Sequence, residues 1–329
     1  TITMLAGGKG AAATAIKVSG KVIDPSKVTK EDVIGAVDPS TGAETGAQVI
    51  RQVYPRLGIV PGLILAPGWS QIPEVGLALA AKAAKINGVY SAMALLDLDT
   101  AKAKKYTDTK SVKEESGYTS PFCYPLWPCD RVGEYILAKS AVAGAMIQYM
   151  ASDNEDVPNQ SPSNHLLGVG GQCLEDGTEV YLDQDQANTV NGYGVTTAIN
   201  QNGYRLWGNY TGAYPASSDA KDIWFAVRRM FSWQGNNFIQ TYFDEVDDPM
   251  NNVLVQSVVD SENIRCSAYA PKYWAGASIE YKSDDNPKTA ILAGTMKFRQ
   301  HIAPYTPAQE IVDIIDYDTD TLAAAVGGN

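Results

Sequence analysis

Histidine is nearly missing from this sequence: His165 and His301 are the only two in 329 residues. A zinc site or a proton-shuttling triad needs ligands or a base at defined spacing, and two isolated histidines supply neither. Cysteine is scarce as well. Cys123, Cys129, Cys173 and Cys266 are too few and too scattered for a disulfide framework in a chain this long, so they read as buried or half-buried thiols. No apolar run approaches the roughly 20 residues of a membrane helix. The most apolar stretches, Leu63–Ala66 and Ala92–Leu96, are strand-sized. Positive charge is also short: 26 Lys+Arg stand against 37 Asp+Glu, a formal net charge of −11. Such a chain does not track phosphate backbones, which argues against nucleic-acid binding. The excess acid is denser beyond residue 212, where 9 basic residues face 16 acidic ones. That imbalance reads as a solvated surface or as a face for a basic partner.

Catalytic and cofactor motifs fail one by one. Gly7-Gly8-Lys9-Gly10 has Gly10 where a phosphate loop needs Ser or Thr, and no strand precedes it. Gly168–Gly171 lacks the dinucleotide spacing, and no G-x-S-x-G elbow occurs. The acid pairs Asp183/Asp185 and Asp247/Asp248 read as helix caps or solvated groups. The sequons at Asn159 and Asn209 have no meaning without secretion, and Thr1–Gly10 shows no signal-peptide pattern. The residues therefore point to no catalytic, metal-binding or cofactor-binding group. An α/β hydrolase-like enzyme is the alternative that the architecture leaves open.

What is present is a strand–helix–strand rhythm. A helix is expected around Thr45–Tyr54, then a buried strand Leu63–Ala66, then a helix capped by Ser70 with Pro73 and Glu74 in its first turn. That helix should end at Asn87-Gly88 and lead to a strand over Tyr90–Asp97. A charged helix over about 100–115, a strand near Phe122–Trp127 and a long helix over about 134–152 repeat the unit. Short links of this kind imply parallel strands with right-handed crossovers. Asn154–Asn164 is a polar loop. Val195–Gln201 and Tyr204–Gly208 flank Asn202-Gly203, a strong hairpin signal. Beyond it come a strand Trp224–Arg228 leading into a helix to about Phe243, and a helix capped by Asp248 that runs to about Ile264. A strand Ser278–Tyr281, a short helix after Asn286-Pro287 and a strand Met296–Ile302 follow. Pro304–Pro307 makes a bend. Over 310–320 the signals conflict: Thr306 with Gln309 resembles a capping box, whereas Ile311, Val312, Ile314 and Ile315 are β-branched. Trp207, Trp224, Trp233 and Trp274 crowd the second half, as core or as interface anchors.

The expected fold class is thus α/β over residues 1–212, followed by a smaller α+β domain over 213–329. Residues 1–30, Gly/Ala/Lys-rich and opening on Thr1, read as the remnant of a longer N-terminal region.

Four segments resemble contractile-tail sheath proteins. Gly194-Val195-Thr196-Thr197, followed after a turn by Trp207-Gly208-Asn209-Tyr210-Thr211, is similar to a Gly-Val-Thr segment and a Trp-Gly-Asn-Arg-Thr end. Tyr210 takes the place of the usual arginine. Trp224–Arg229 looks like a strand with paired arginines, Arg228 and Arg229. Leu65-Ala66-Pro67-Gly68 looks like a strand end of that family, and Pro304–Glu310 like the start of its closing arm. The resemblance spans about residues 60–320. It implies a subtilisin-like first domain without activity, and none of that protease class's His-Gly-Thr or Gly-Thr-Ser signatures occurs here. It implies six-membered rings stacked around an inner tube, with baseplate and terminator proteins as further partners and with no cofactor, membrane or nucleic acid. The location implied is a virion tail, made in a host bacterial cytoplasm. Finally it implies a strand-donating arm over 295–329, with Met296, Phe298, Gln300, Ile302, Ile311, Val312, Ile314, Ile315 and Tyr317 as its contact residues, and it tips 310–317 toward strand. Without an N-terminal arm the chain alone is expected to be a monomer or weak oligomer.

Overall fold

The computed structural model describes Gly7, Gly20 and residues 24–327. Most of the expected N-terminal remnant and of the Gly7–Gly10 loop lies outside the described residues.

Three parallel strands form the centre. They are β1 (Leu63–Leu65), β2 (Met93–Asp97) and β3 (Cys123–Leu126), in the order β1-β2-β3. A parallel bridge from Leu126 to Thr196 extends this sheet by one more segment. All five residues of β2 are buried, as expected of a strand covered on both faces. The helix Pro73–Ala84 covers one face with Val75, Leu79 and Ala83, spaced four apart, against Ile64, Ala94 and Leu96. The helix Lys139–Asp153 covers the other with Ala143 and Ile147, against Met93, Leu95 and Tyr124. The alternation of a β2 side chain to either face separates these two cores.

A sheet the pattern did not reveal lies beside this centre. It pairs β4 (Cys129–Val132) with β5 (Tyr135–Leu137) and with β6 (Gly171–Cys173), all antiparallel. The expected long helix from residue 134 therefore begins only at Lys139, because Tyr135–Leu137 is drawn into the hairpin. The Asn202-Gly203 turn is as expected: β7 (Thr197–Asn200) and β8 (Tyr204–Trp207) flank it, with φ of 55° and 104° at the two turn residues.

The third core, Val157, Met230, Cys266, Tyr273 and Trp274, lies among the helices Phe225–Thr241 and Asn252–Ala268 and the strands β9 (Trp274–Glu280) and β10 (Arg299–Pro304). The helix Phe225–Thr241 links two cores, since Phe225 belongs to the core on the second sheet face and Met230 to the third.

Several local expectations need correction. Trp224–Arg228 is not a strand. Only Trp224 is extended, bridging Tyr210, and the helix starts at Phe225. The segment has a single β-branched residue, Val227, and burial of Phe225, Ala226, Met230 and Gln234 follows a helical spacing. Ser70 caps nothing: its hydroxyl donates to Asp97 at 3.1 Å, and Ile72 is the N-cap. Asn251, accepting from Leu254 N–H, caps the next helix in place of Asp248. The charged helix shrinks to Thr109–Ser116 after a turn at Tyr106–Asp108, and the helix expected at Thr45–Tyr54 is a 3₁₀ turn running into Val53–Leu57. The strand expected at Met296–Ile302 is displaced to Arg299–Pro304, with Lys297 held by the Asn286 side chain on both its N–H and its carbonyl. Over 310–317 there is neither helix nor strand, and a short helix follows at Thr319–Ala325.

Candidate assembly surface

The segment around β8 that carries the Gly194–Thr211 motif is a tightly tied strap. At Gly194 (φ 72°) a Cβ would sit 2.3 Å from the Tyr214 carbonyl oxygen. At Gly208 (φ 151°) it would sit 2.5 Å from Thr196 Oγ1 and 2.9 Å from Thr196 Cα. Glycine is required at both, for conformation and for space. Between them Trp207 donates its indole N–H to Asn188 at 2.9 Å. The Asn209 side chain accepts from Ser161, and its backbone carbonyl accepts the Phe225 N–H at 2.8 Å. Thr211 is fully buried; its hydroxyl donates to the Asp222 carbonyl and its N–H to the Ile223 carbonyl. The strap thus fixes the start of the helix Phe225–Thr241 and with it both arginines.

Those arginines diverge. Arg228 pairs with Asp222 at 3.2 Å and stacks 4.8 Å from the Phe122 ring centroid. Arg229 has no ion pair or hydrogen bond among the described residues. It lies 5.5 Å from the Phe225 ring, and burial pulls its guanidinium down to about 10. Tyr210, which stands in the arginine position, stacks on Tyr214 at 3.8 Å and on Trp224 at 4.9 Å, and donates its hydroxyl to Gln309 at 2.7 Å. The start of the C-terminal arm therefore folds back onto the strap, where Pro307, Ala308 and Ile311 line a cavity of about 690 Å³ with Trp207 and Asn209.

The nine arm residues fall into two sets. Gln300 and Ile302 lie in β10, which pairs antiparallel with β9 of the same chain. Gln300 donates to the buried Glu262 at 3.1 Å, and Phe298 packs edge-on to Tyr281. Met296 precedes the strand without pairing in it. This first set is engaged within the chain, in β10 or beside it. Ile311, Val312, Ile314, Ile315 and Tyr317 are the reverse: between 69 % and 89 % exposed, with no strand partner among the described residues. Five such side chains in seven residues, outside any helix or strand, form an exposed apolar stretch.

The groups that could have carried chemistry are separate. His301 sits 2.9 Å from Glu280 on the neighbouring strand. The ring of His165 is pushed down by burial and by Arg205. Neither hydrogen-bonds to a Ser or Cys side chain among the described residues. Among the described residues no cluster of three His, Cys, Asp or Glu could hold a metal ion. Sequence reasoning missed three buried polar knots. Asp97 accepts from Ser70 and from the Ser140 N–H and hydroxyl. Lys139 pairs with Asp130, both fully buried. Lys113 donates to the carbonyls of Tyr193 and Tyr214. Asp97 and Lys139 stand out as single charges in apolar runs, whereas Lys113 and Asp130 sit among other polar residues and leave no trace in the sequence.

No protein-family model matches the chain. It is 26 % identical, over 96 % of its length and 68 % of the relative's, to a tail sheath protein of Burkholderia phage BcepMu. It is 24 % identical to the tail sheath protein of Escherichia phage P2, over 86 % of this chain and 69 % of that one. The chain is a homologue of phage tail sheath proteins. Its fold agrees with this. The contracted helical sheath of the anti-feeding prophage aligns with a TM-score of 0.62 over 87 % of this chain and 76 % of that one, at 18 % identity. The contracted sheath complex of an extracellular contractile injection system, PVC, gives 0.65 over 84 % and 76 %, at 17 % identity.

Proposed function

We propose that the chain is a structural subunit of a contractile tail sheath, polymerising as rings around an inner tube and contracting by rearrangement of its subunits. The homology to tail sheath proteins along nearly the whole chain carries the reading. The fold matches to contracted sheaths support it. On this reading the layered parallel sheet is a subtilisin-like domain without activity, ending near residue 212, and the α+β part follows it. The work of contraction is stored as a difference between two packings of the same subunits, which needs no cofactor. The location is the tail of a virion or related particle, and the partners are further copies, the tube, and baseplate and terminator proteins.

The segment 305–317 is the donor of a strand to a neighbouring copy. Its lack of helix or strand pairing among the described residues and its five exposed apolar side chains are what support this. Main-chain hydrogen bonds to a sheet edge contribute on the order of 1 kcal/mol each, and a closed ring multiplies a modest link by avidity. The hydrolase alternative finds no support in the comparisons or in the placement of His165 and His301. The test is electron microscopy of the gene product that carries this sequence. Hollow tubes are expected, and they should disappear when residues 306–329 are deleted while the folded mass remains. Tubes that persist after the deletion would remove the arm from the assembly; a soluble monomer that turns over a generic ester would overturn the whole reading.

A further inference from the structure

Two of the four cysteines face one another across a strand pair. Cys129 of β4 stands directly opposite Cys173 of β6 in the antiparallel register. Both are free thiols, Cys129 half-buried and Cys173 fully buried. The kind of pair follows from the other side of β6. There the Gln172 carbonyl accepts from Val180 N–H at 2.9 Å, and Leu174 N–H donates to the Thr178 carbonyl at 2.8 Å. Main-chain groups alternate in direction along a strand, so those of Gly171 and Cys173 turn to β4, and Cys129 with Cys173 is a hydrogen-bonded pair. The Cα atoms of such a pair lie about 5.5 Å apart, within the roughly 4.4–6.8 Å that a disulfide spans. Opposite Cβ atoms lie about 4.5–5.5 Å apart and a disulfide brings them to about 3.5–4.5 Å, so the strands must close by up to about 1 Å. β6 can yield by that much: it is an outer strand of three residues, starting at Gly171 and preceded by Gly170.

We propose that Cys129 and Cys173 form an oxidation site, at which a thiol oxidant of the disulfide class, such as oxidised glutathione, joins β4 to β6 by a reversible cross-strand disulfide. The half-buried Cys129 is the sulfur that the oxidant reaches. Its thiolate attacks one sulfur of glutathione disulfide and displaces one glutathione thiolate, leaving a mixed disulfide. Cys173 then gives up its proton, attacks the Cys129 sulfur and displaces the second glutathione. Two protein thiols are thereby oxidised by two electrons, and the two glutathione molecules released carry away the two protons. Burial pushes the Cys129 thiol up to about 12; Asp97, Cys173 and Glu175 add to this and Lys139 opposes it. The thiolate is therefore scarce at neutral pH and closure is slow. Cys123 and Cys266 are set apart from this pair. Cys123 stands opposite Ala94 in the parallel sheet, and Cys266 lies in the third core. The closed loop, residues 129–173, holds β5 and the helix Lys139–Asp153, so the link restricts the unfolded chain over that whole stretch. The pair does not depend on the assembly reading.

The test uses the full 329-residue chain, folded, in millimolar oxidised glutathione at mildly alkaline pH. Remaining thiols are then blocked in denaturant and the peptides mapped by mass. One crosslink, Cys129 to Cys173, is expected, with Cys123 and Cys266 recovered as blocked thiols. The Tm should rise by at least about 3 °C and return to its starting value when dithiothreitol is added. Cys173→Ala should stop the reaction at a glutathione adduct on Cys129 and show no rise in Tm. Should that variant not fold, mapping of the parent decides alone. In the parent, a glutathione adduct on Cys129 without the crosslink, a crosslink through Cys123 or Cys266, or four free thiols after prolonged exposure would each overturn the site. A crosslink that lowers the Tm would show that the strands had been pulled out of register, and would overturn it as well.

Discussion

Lys139→Met should cost about 3–5 kcal/mol, because it leaves the buried carboxylate of Asp130 without its counter-charge. Both side chains are fully buried, and one Asp130 oxygen already lacks a partner. The pair lies where β4 meets the first turn of the helix Lys139–Asp153, so no water can replace the ammonium without opening that junction. A methionine fills the volume of the lysine stem, so the loss is electrostatic and leaves little cavity. The double variant Lys139→Met with Asp130→Leu should regain most of the loss, since two well-packed apolar groups need no charge compensation. A pH series separates this account from simple misfolding. Burial raises the Asp130 carboxyl above its ordinary value, and Lys139 opposes that rise. With the lysine gone the folded-state value climbs further above the unfolded one. For an acid raised on folding, the unfolded state releases its proton first, and stability falls as pH rises from the unfolded value toward the folded one. The single variant should therefore be closest to the parent near pH 4 and furthest from it at neutral pH. Urea titrations of the four proteins of the cycle at both pH values give the coupling directly. Additive single-site effects, or a variant equally destabilised at pH 4 and 7, would refute the reasoning.

Two further outcomes follow from the strap and its surroundings. Gly208→Ala forces a Cβ to 2.5 Å from Thr196 Oγ1 at φ 151°, so a loss of about 2–4 kcal/mol is expected, measured as a drop in urea midpoint. Burial lowers Lys113 from its ordinary 10.5 to about 8, so between those values the unfolded chain holds the extra proton and stability rises with pH. The parent should gain on Lys113→Met by roughly 1.4 kcal/mol per pH unit across that window, and a pH-independent difference would sink the assignment.

The parallel centre was legible because its signals agree: apolar runs of strand length, Pro73 and Glu74 at a helix start, Asn87-Gly88 in the turn that follows the helix end at Ala84, and Asn202-Gly203 in a hairpin. What the sequence concealed was decided by tertiary contacts. Tyr135–Leu137 continues smoothly into a helix by propensity, and only pairing with β4 makes it a strand. Trp224–Arg228 reads as extended through Trp224, Phe225 and Val227, yet a hydrogen bond from Phe225 N–H to the Asn209 carbonyl sets the helix entry there. Of the site, the motif glycines and Trp207 could be found from the resemblance, whereas the contrast between Arg228 and Arg229 could not. Adjacent arginines are identical to any pattern; the neighbouring Asp222 partners one of them, and the cavity isolates the other.

The arm segment resolves the conflict in its own sequence signals. A capping box and a β-branched run competed over 306–317, and neither element forms in the chain alone. Gln309 is taken by Tyr210, so it cannot close the capping box. The β-branched residues have strand propensity without a strand to pair with, and an isolated strand gains no ladder hydrogen bonds to offset its ordering. An exposed apolar strand former is ordinarily an aggregation hazard. Here Glu310, Asp313 and Asp316 recur every third residue, so stacking identical copies in register would bring like charges together at each step. The acids disfavour self-pairing of arms, and so account for a segment that stays unpaired among the described residues.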